Sequence, residues 1–103
     1  MALTPEKKVK NSVKAILDAE GVYYFMPPAN GYGRQGIPDF VCSVEGWFMS
    51  IETKAKNNKP TALQEREMDA IRTKGKGTAL VVNEDNVEEV RQTIKQLRGN
   101  YEH

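Results

Sequence analysis

The sequence has little of the two side chains that most often carry metal and redox chemistry. It contains one cysteine, Cys42, and one histidine, the terminal His103, among 103 residues. A single cysteine excludes a disulfide framework and a thiolate zinc site, and Cys42 in the apolar stretch "DFVCSV" is expected to be a small core residue. With so little histidine, neither histidine acid–base catalysis nor a histidine-ligated zinc is expected. The chemistry must therefore rest on carboxylates, amines and amides.

Long apolar runs and an excess of charge are missing too. No signal peptide or membrane span is recognisable, so a cytoplasmic protein with no membrane partner is expected. The formal net charge is +1, which gives no global attraction to nucleic acid. Residues 54–76 nevertheless carry seven basic side chains against three acidic ones, so a local basic face can form. Lysines that serve only solubility are the alternative.

Helix-capping residues, glycines and turn residues indicate where helices and strands begin and end, and so give the order of the elements. The length of 103 residues fits one domain, residues 1–103. The order is α-β-β-β-α-β-α, which predicts an α/β fold with a small mixed β-sheet flanked by helices. The elements are a helix between Thr4 and Gly21, strands at 22–26, 39–44 and 47–54, a helix beginning at Thr61 and ending at Gly75 or Gly77, a strand at 78–83, and a last helix capped by Asp85 or Asn86.

Charged residues occur on two of these strands, where ionised groups are costly to bury. Side chains alternate along a strand, so Glu52 and Lys54 point the same way, roughly 7 Å apart. If the preceding strand pairs through a tight turn at Glu45-Gly46, its beginning lies beside the end of the next strand. That register places Asp39 close to Glu52. Two carboxylates and one amine are therefore expected to converge at one end of the sheet.

Two adjacent carboxylates repel each other unless a cation joins them. Mg²⁺, or Mn²⁺ in its place, is the natural candidate because it takes oxygen ligands and binds one or two carboxylates together with substrate phosphate. Such a site polarises a phosphodiester and activates water, while a nearby lysine orients that water or neutralises developing charge. The alternative is an exposed Glu–Lys pair, with Asp39 only starting a strand after Pro38.

These residues also carry a family resemblance. "PD" at 38–39 and "ETK" at 52–54 resemble the PD-(D/E)xK nuclease motif, which implies a restriction-endonuclease-like core. Within that superfamily the chain is similar, nearly from end to end, to the VRR-NUC family (virus-type replication and repair nuclease). The matching features are Glu6, Asn30-Gly31, Pro38-Asp39, Glu52-Thr53-Lys54 and Gln64. The compact length resembles the stand-alone viral members and implies a phage or prophage origin.

The resemblance implies roles for these residues. Asp39 and Glu52 would hold the metal with the backbone carbonyl of Thr53, and Lys54 would serve the attacking water. Glu6 would complete the acidic cluster through a water or a second metal.

The first helix offers two acidic residues on its apolar side. Glu6 shares a face with Val9, Val13 and Leu17, so it is expected to point inward, although a first-turn carboxylate also favours the helix dipole. Glu20 lies on the same stripe, at the other end of the helix. It is interpreted as a solvated rival to Glu6.

Gln64 is expected to face inward with Met68 and Ile71, which lie four and seven residues further along the helix. A polar group there needs a partner. Lys54 or a substrate phosphate would satisfy it, and helix capping is the alternative.

Softer candidates concern DNA. Tyr32 and Arg34 in "NGYGRQG" could contact base or phosphate, and Lys56 and Lys59 in "KAKNNK" could track a phosphate backbone. A flexible connection and a solvated turn are the respective alternatives. Gln64 could also contact DNA.

The sequence thus predicts a Mg²⁺- or Mn²⁺-dependent endodeoxyribonuclease without a small-molecule cofactor. Its expected partner is branched DNA, with a homodimer resolving four-way (Holliday) junctions in DNA repair. The proposed dimer interface contains Tyr23, Tyr24 and Trp47. Two alternatives remain open: a non-catalytic nucleic-acid-binding module that keeps the fold, and a nickase or RNase of the same superfamily.

Overall fold

The computed structural model describes residues 3–28 and 35–101, and in them the predicted order of elements is confirmed. The elements are α1 (Pro5–Ala19), β1 (Tyr23–Phe25), β2 (Phe40–Val44), β3 (Trp47–Thr53), α2 (Ala62–Thr73), β4 (Thr78–Val82) and α3 (Glu88–Tyr101). None of the helices formed by these residues is long and apolar enough to cross a membrane.

The four strands form one mixed sheet in the order β1-β2-β3-β4. The first three strands pair antiparallel, and β4 pairs parallel to β3. The parallel pair needs a crossover connection, and α2 provides it. The sheet is therefore the small mixed sheet that the sequence predicts.

The β2–β3 hairpin fixes the register on which the site depends. Glu45 and Gly46 have φ angles of 52° and 88°, the two positive values that a two-residue type I′ turn requires. Val44 then pairs with Trp47, and Phe40 pairs with Ile51. The next position along the ladder brings Asp39 opposite Glu52.

The hydrophobic core lies between the sheet and the pair of helices α1 and α3. Side chains alternate along β2, so Phe40, Cys42 and Val44 point into the core, and Met49 and Ile51 of β3 join them. The helices contribute Val9, Val13, Ile16, Leu17, Val90, Ile94 and Leu97. Cys42 is therefore the small core residue that was expected. Burial raises the pKa of its thiol to about 12, which leaves it unreactive.

The last helix begins later than the sequence suggests. Its first residue is Glu88, so the predicted caps, Asp85 and Asn86, precede the helix by two or three positions. The Asn86 side chain accepts a hydrogen bond from the Asn83 N–H at 2.7 Å and donates one to the Val81 carbonyl at 3.0 Å. Because these bonds hold the turn after β4, the Asn86 side chain stabilises the turn rather than the helix.

Candidate active site

An open cleft of about 410 Å³ lies at the end of the sheet where β2 begins and β3 ends. The functional side chains in its wall come from four parts of the fold. They are Lys10 of α1, Pro38 and Asp39 before β2, Glu52 of β3 and Gln64 of α2. The convergence of Asp39 and Glu52, predicted from the strand register, is thus present.

The Asp39 carboxylate is fixed by Thr53, a fully buried residue at the end of β3. The Thr53 backbone N–H donates to Asp39 Oδ2 at 2.8 Å, and the Thr53 hydroxyl donates to the same oxygen at 2.7 Å. The Lys10 ammonium lies 3.6 Å from the other oxygen, Oδ1. Oδ2 is therefore occupied by Thr53, and Oδ1 is the oxygen that faces the Lys10 ammonium.

Glu52 is only 4% exposed, and its environment disfavours its charged form. Burial, then the negative charge of Asp39 and a hydrogen bond between the two carboxyl groups, raise the pKa of Glu52 from its ordinary 4.5 to about 8. The charge of Lys54 opposes this rise, and that of Glu6 adds slightly to it. When no divalent ion is bound, these interactions therefore favour the protonated form of Glu52. A bound cation would favour the ionised form.

The donor set fits a metal ion that is shared with a substrate. Across residues 3–28 and 35–101 no group of three or more His, Cys, Asp or Glu side chains is placed to hold a metal. Asp39 and Glu52 provide two carboxylates, which matches the way Mg²⁺ binds: one or two carboxylates, several waters and substrate phosphate. The protein's own cation, Lys10, already lies beside this pair. The part expected of the Thr53 backbone carbonyl stays a prediction.

Lys54 and Glu6 flank the carboxylate pair in different ways. Lys54 directly follows β3, is half-buried, and is anchored by its backbone N–H, which donates to the Val82 carbonyl at 2.9 Å. Glu6 is half-buried as well, with 41% of its side chain exposed, and it forms an ion pair with Lys10 at 3.9 Å. Since Lys10 also lies beside Asp39, Glu6 is connected to the pair through that lysine.

Glu20 is not the solvated residue that the sequence suggested. Its carboxylate lies 3.1 Å from Arg91 Nε and 3.5 Å from Arg98 Nη1. Arg98 also donates to the Glu20 backbone carbonyl at 2.6 Å. Glu20 therefore joins the end of α1 to α3, because two arginines of the closing helix compete with water for its carboxylate.

Gln64 does what the capping alternative predicted, and it also faces the cleft. Its side-chain oxygen accepts a hydrogen bond from the Thr61 N–H at 2.8 Å, and the Thr61 hydroxyl accepts one from the Gln64 N–H at 3.2 Å. This capping box leaves the amide nitrogen as the end of Gln64 that can serve a ligand. Among the described residues the side chain of Gln64 is hydrogen-bonded to Thr61 and not to Lys54.

Gly36 allows the loop before β2 to approach α2. Its φ angle is +80°, and a Cβ atom at this position would collide with the Leu63 carbonyl. Any other residue would push the loop away from the first turn of α2. The glycine thus keeps Pro38 and Asp39 on the same cleft as Gln64.

Lys10 is the residue of the site that sequence reasoning missed. Its ammonium lies between Glu6, at 3.9 Å, and Asp39, at 3.6 Å, and it lines the cleft. The spacing of four residues from Glu6 was a usable signal, because residues that far apart share a helix face. Its proximity to Asp39 depends on the packing of α1 against the sheet, which the spacing does not reveal.

The DNA-binding candidates fall into two groups. Tyr32 and Arg34 lie outside the described residues, as does Asn30-Gly31. Lys56 and Lys59 are both exposed, and Lys56 Nζ lies 3.5 Å from Asp85 Oδ2. Exposed ion pairs of this kind are weak, so both lysines are accessible to a polyanion.

Of the three aromatic residues suggested for a dimer interface, two are exposed and one makes contacts within the chain. Tyr23 is 71% exposed and Trp47 is 42% exposed. The Tyr24 hydroxyl donates to Asp18 at 2.8 Å, and its ring lies 5.9 Å from that of Phe40. Tyr24 is thus used within the chain, which leaves Tyr23 and Trp47 as the exposed candidates.

The comparisons with known proteins agree with this architecture. A solved structure named "VRR_NUC domain" shares 26% sequence identity, covers 87% of this chain and 97% of its own, and has a TM-score of 0.72. A second, named "VRR_NUC domain protein", shares 21% identity over 94% of this chain and 93% of its own, with a TM-score of 0.69. No protein-family model and no curated protein matches the chain.

The fold of the chain is similar to that of both VRR_NUC domains, and the likeness extends over almost the whole chain. The resemblance to the VRR-NUC family is confirmed, and a nuclease-family function is supported.

Proposed function

We propose that this protein is a Mg²⁺- or Mn²⁺-dependent endonuclease that hydrolyses phosphodiester bonds in DNA. One observation carries the proposal: the carboxyl groups of Asp39 and Glu52 lie side by side in an open cleft, with Asp39 held by two hydrogen bonds from Thr53. Burying a carboxyl group beside a second carboxyl group lowers the stability of the fold, so a purely structural role does not explain the pair. A site for a divalent cation gives the arrangement a purpose.

Three side chains of the cleft, and Lys54 beside them, have distinct tasks in this proposal. A divalent cation supplies Lewis-acid polarisation of the phosphate and a water of lowered pKa. Asp39 and Glu52 would hold the ion, with the Asp39 carboxylate oriented by Thr53 and Glu52 in its ionised form. Lys54 orients the attacking water or neutralises the charge that develops on the phosphate oxygens. The Gln64 amide nitrogen donates to a phosphate at the opposite wall.

We further propose that the substrate is branched DNA and that a homodimer cleaves it. The described residues form one cleft of this kind, whereas a four-way junction has two symmetric scissile strands. An isologous dimer supplies two matching sites. The exposed aromatic side chains of Tyr23 and Trp47 support a contact surface between two copies.

The proposal is tested with the purified chain on end-labelled linear duplex, flap, four-way junction and single-stranded RNA, each with Mg²⁺, Mn²⁺ or chelator. We expect metal-dependent cleavage with a preference for the junction, and sedimentation as a dimer at micromolar concentration. Binding without cleavage in either metal would favour the non-catalytic module. A monomer that cuts linear duplex as well as junctions would support the nuclease proposal and contradict the proposal of junction resolution by a homodimer. Preferred cleavage of RNA would replace DNA as the substrate.

A further inference from the structure

Lys10 lies at the position where a cation bound by Asp39 would act. Oδ2 of Asp39 is taken by two hydrogen bonds from Thr53, so the charge of the carboxylate is directed through Oδ1. The Lys10 ammonium is 3.6 Å from Oδ1 and 3.9 Å from the Glu6 carboxylate. The lysine side chain is 31% exposed and lines the cleft. The protein thus supplies its own monovalent cation to the carboxylate pair.

A metal ion and this ammonium compete for the same oxygen. A divalent ion on Oδ1 and a positive charge within about 4 Å of that oxygen repel each other strongly in a partly buried cleft. Asp39 cannot turn away to serve both, since Thr53 fixes its other oxygen. The Lys10 stem is flexible and its end reaches solvent, so the ammonium is the group that moves.

The displaced ammonium stays in the cleft. It is attached to α1, which forms one wall, and its remaining carboxylate partner, Glu6, is the more exposed of the two. An ammonium at the edge of a site that receives a phosphodiester pairs with a phosphate oxygen.

We propose, on the basis of the function proposed above, that Lys10 is an exchangeable counter-ion. It neutralises Asp39 when the cleft is empty, leaves Asp39 when a divalent metal binds, and then binds a phosphate of the DNA backbone. Lys10 thereby couples metal binding to DNA binding. It is a substrate-binding residue in addition to the five named from the sequence.

The test uses Lys10→Met, which removes the charge and keeps the stem. Lys8→Met is the matched control, because Lys8 is exposed and lies on the other side of α1. Mn²⁺ affinity is measured by calorimetry without DNA. Junction affinity is measured against salt concentration in chelator and in Ca²⁺, a larger cation with the same preference for oxygen ligands. A thermal melt confirms that both variants are folded, and Lys10→Arg tests whether a positive charge is sufficient.

Two opposite changes are expected in Lys10→Met. Mn²⁺ should bind roughly three- to tenfold more tightly, because its competitor is gone. Junction affinity in Ca²⁺ should fall, and its log–log salt slope should become shallower by about 0.9. In chelator the slope should match that of the wild type, since Lys10 is then occupied by Asp39. Lys10→Arg should restore the slope, and Lys8→Met should change neither quantity.

Unchanged or weaker Mn²⁺ binding by Lys10→Met would overturn the proposal. So would a salt slope that falls equally with and without Ca²⁺, because Lys10 would then be a permanent phosphate contact. These failures differ from a failure of the proposed function, in which the wild-type protein itself would neither bind Mn²⁺ nor cleave DNA.

Discussion

Thr53 donates two hydrogen bonds to one oxygen of Asp39, from its backbone N–H at 2.8 Å and from its hydroxyl at 2.7 Å. Asp39 directly precedes β2 and Thr53 is the last residue of β3, so the two hydrogen bonds hold these strand ends together at the cleft. Asp39 is thereby oriented before any ligand arrives. Pre-orientation of this kind reduces the cost of ordering a ligand site when it is filled.

The first prediction concerns this hydroxyl. Thr53→Val keeps the shape and the backbone hydrogen bond but removes one charge-assisted bond, so the free energy of unfolding should fall by about 1.5 kcal/mol. Cleavage should slow roughly 10- to 100-fold, because Asp39 loses part of its orientation. Urea unfolding and single-turnover kinetics measure the two effects. Thr53→Ser should be close to wild type in cleavage, and equal rates for Thr53→Val and wild type would contradict the role of this contact.

The second prediction follows from the raised pKa of Glu52, about 8 in the folded protein against 4.5 ordinarily. The folded state binds the proton more tightly than the unfolded state, so the metal-free protein should lose stability as the pH rises from about 4.5 to about 8. Glu52→Gln resembles the protonated form. It should be more stable than wild type by a few kcal/mol at pH 9 in chelator, and about equal at pH 4.

Chemical unfolding across this pH range checks the Glu52 prediction. The comparison between wild type and Glu52→Gln removes the contributions of the other titrating groups. A difference between the two proteins that does not change with pH would show that Glu52 is not held protonated.

Features of the site that depend on residues close together in the sequence could be predicted, and those that depend on residues far apart could not. The Glu45-Gly46 turn is local and sets the register of the hairpin, so the meeting of Asp39 and Glu52 was predictable. The capping box of Thr61 and Gln64 is equally local. Lys10 approaches Asp39 only because α1 packs on the sheet, a contact over 29 positions of sequence that no local pattern encodes.

The contacts of Glu20 are a second example of long-range interactions that the sequence does not reveal. Its position beside Gly21 suggested a solvated residue at a helix end, yet Arg91 and Arg98 reach it from a helix more than seventy positions later. In the sequence, Arg91 and Arg98 look like ordinary surface residues of a helix. The tertiary packing of α1 against α3 decides what they bind.

The third prediction separates the two acidic residues of α1. Glu6→Ala should slow cleavage roughly 10- to 100-fold, because Glu6 shares Lys10 with Asp39 at the cleft. Glu20→Ala should cleave at the wild-type rate and lose about 1 kcal/mol of stability, because Arg91 and Arg98 each lose one of their carboxylate partners. Cleavage rates at matched folded fractions make the comparison. The reverse ranking would move the acidic residue of the site to the other end of α1.

The fourth prediction concerns Lys54. Lys54→Ala should lower the rate of the chemical step by roughly 100-fold or more and change junction affinity little, because its interaction belongs to the transition state. Single-turnover cleavage and equilibrium binding in Ca²⁺ separate these effects. Weaker binding with a shallower salt slope and an unchanged chemical rate would instead make Lys54 a phosphate anchor.

The central claim is that Asp39 and Glu52 together bind the divalent ion that cleaves DNA. The most direct measurement is Mn²⁺ binding by calorimetry beside junction cleavage for the wild type, Asp39→Asn and Glu52→Gln, each shown to be folded by its thermal melt. We predict that the wild type binds Mn²⁺ and cleaves, that chelator abolishes cleavage, and that both variants lose Mn²⁺ binding and cleavage together. Cleavage by either variant at the wild-type rate, or cleavage that continues in excess chelator, would contradict the claim.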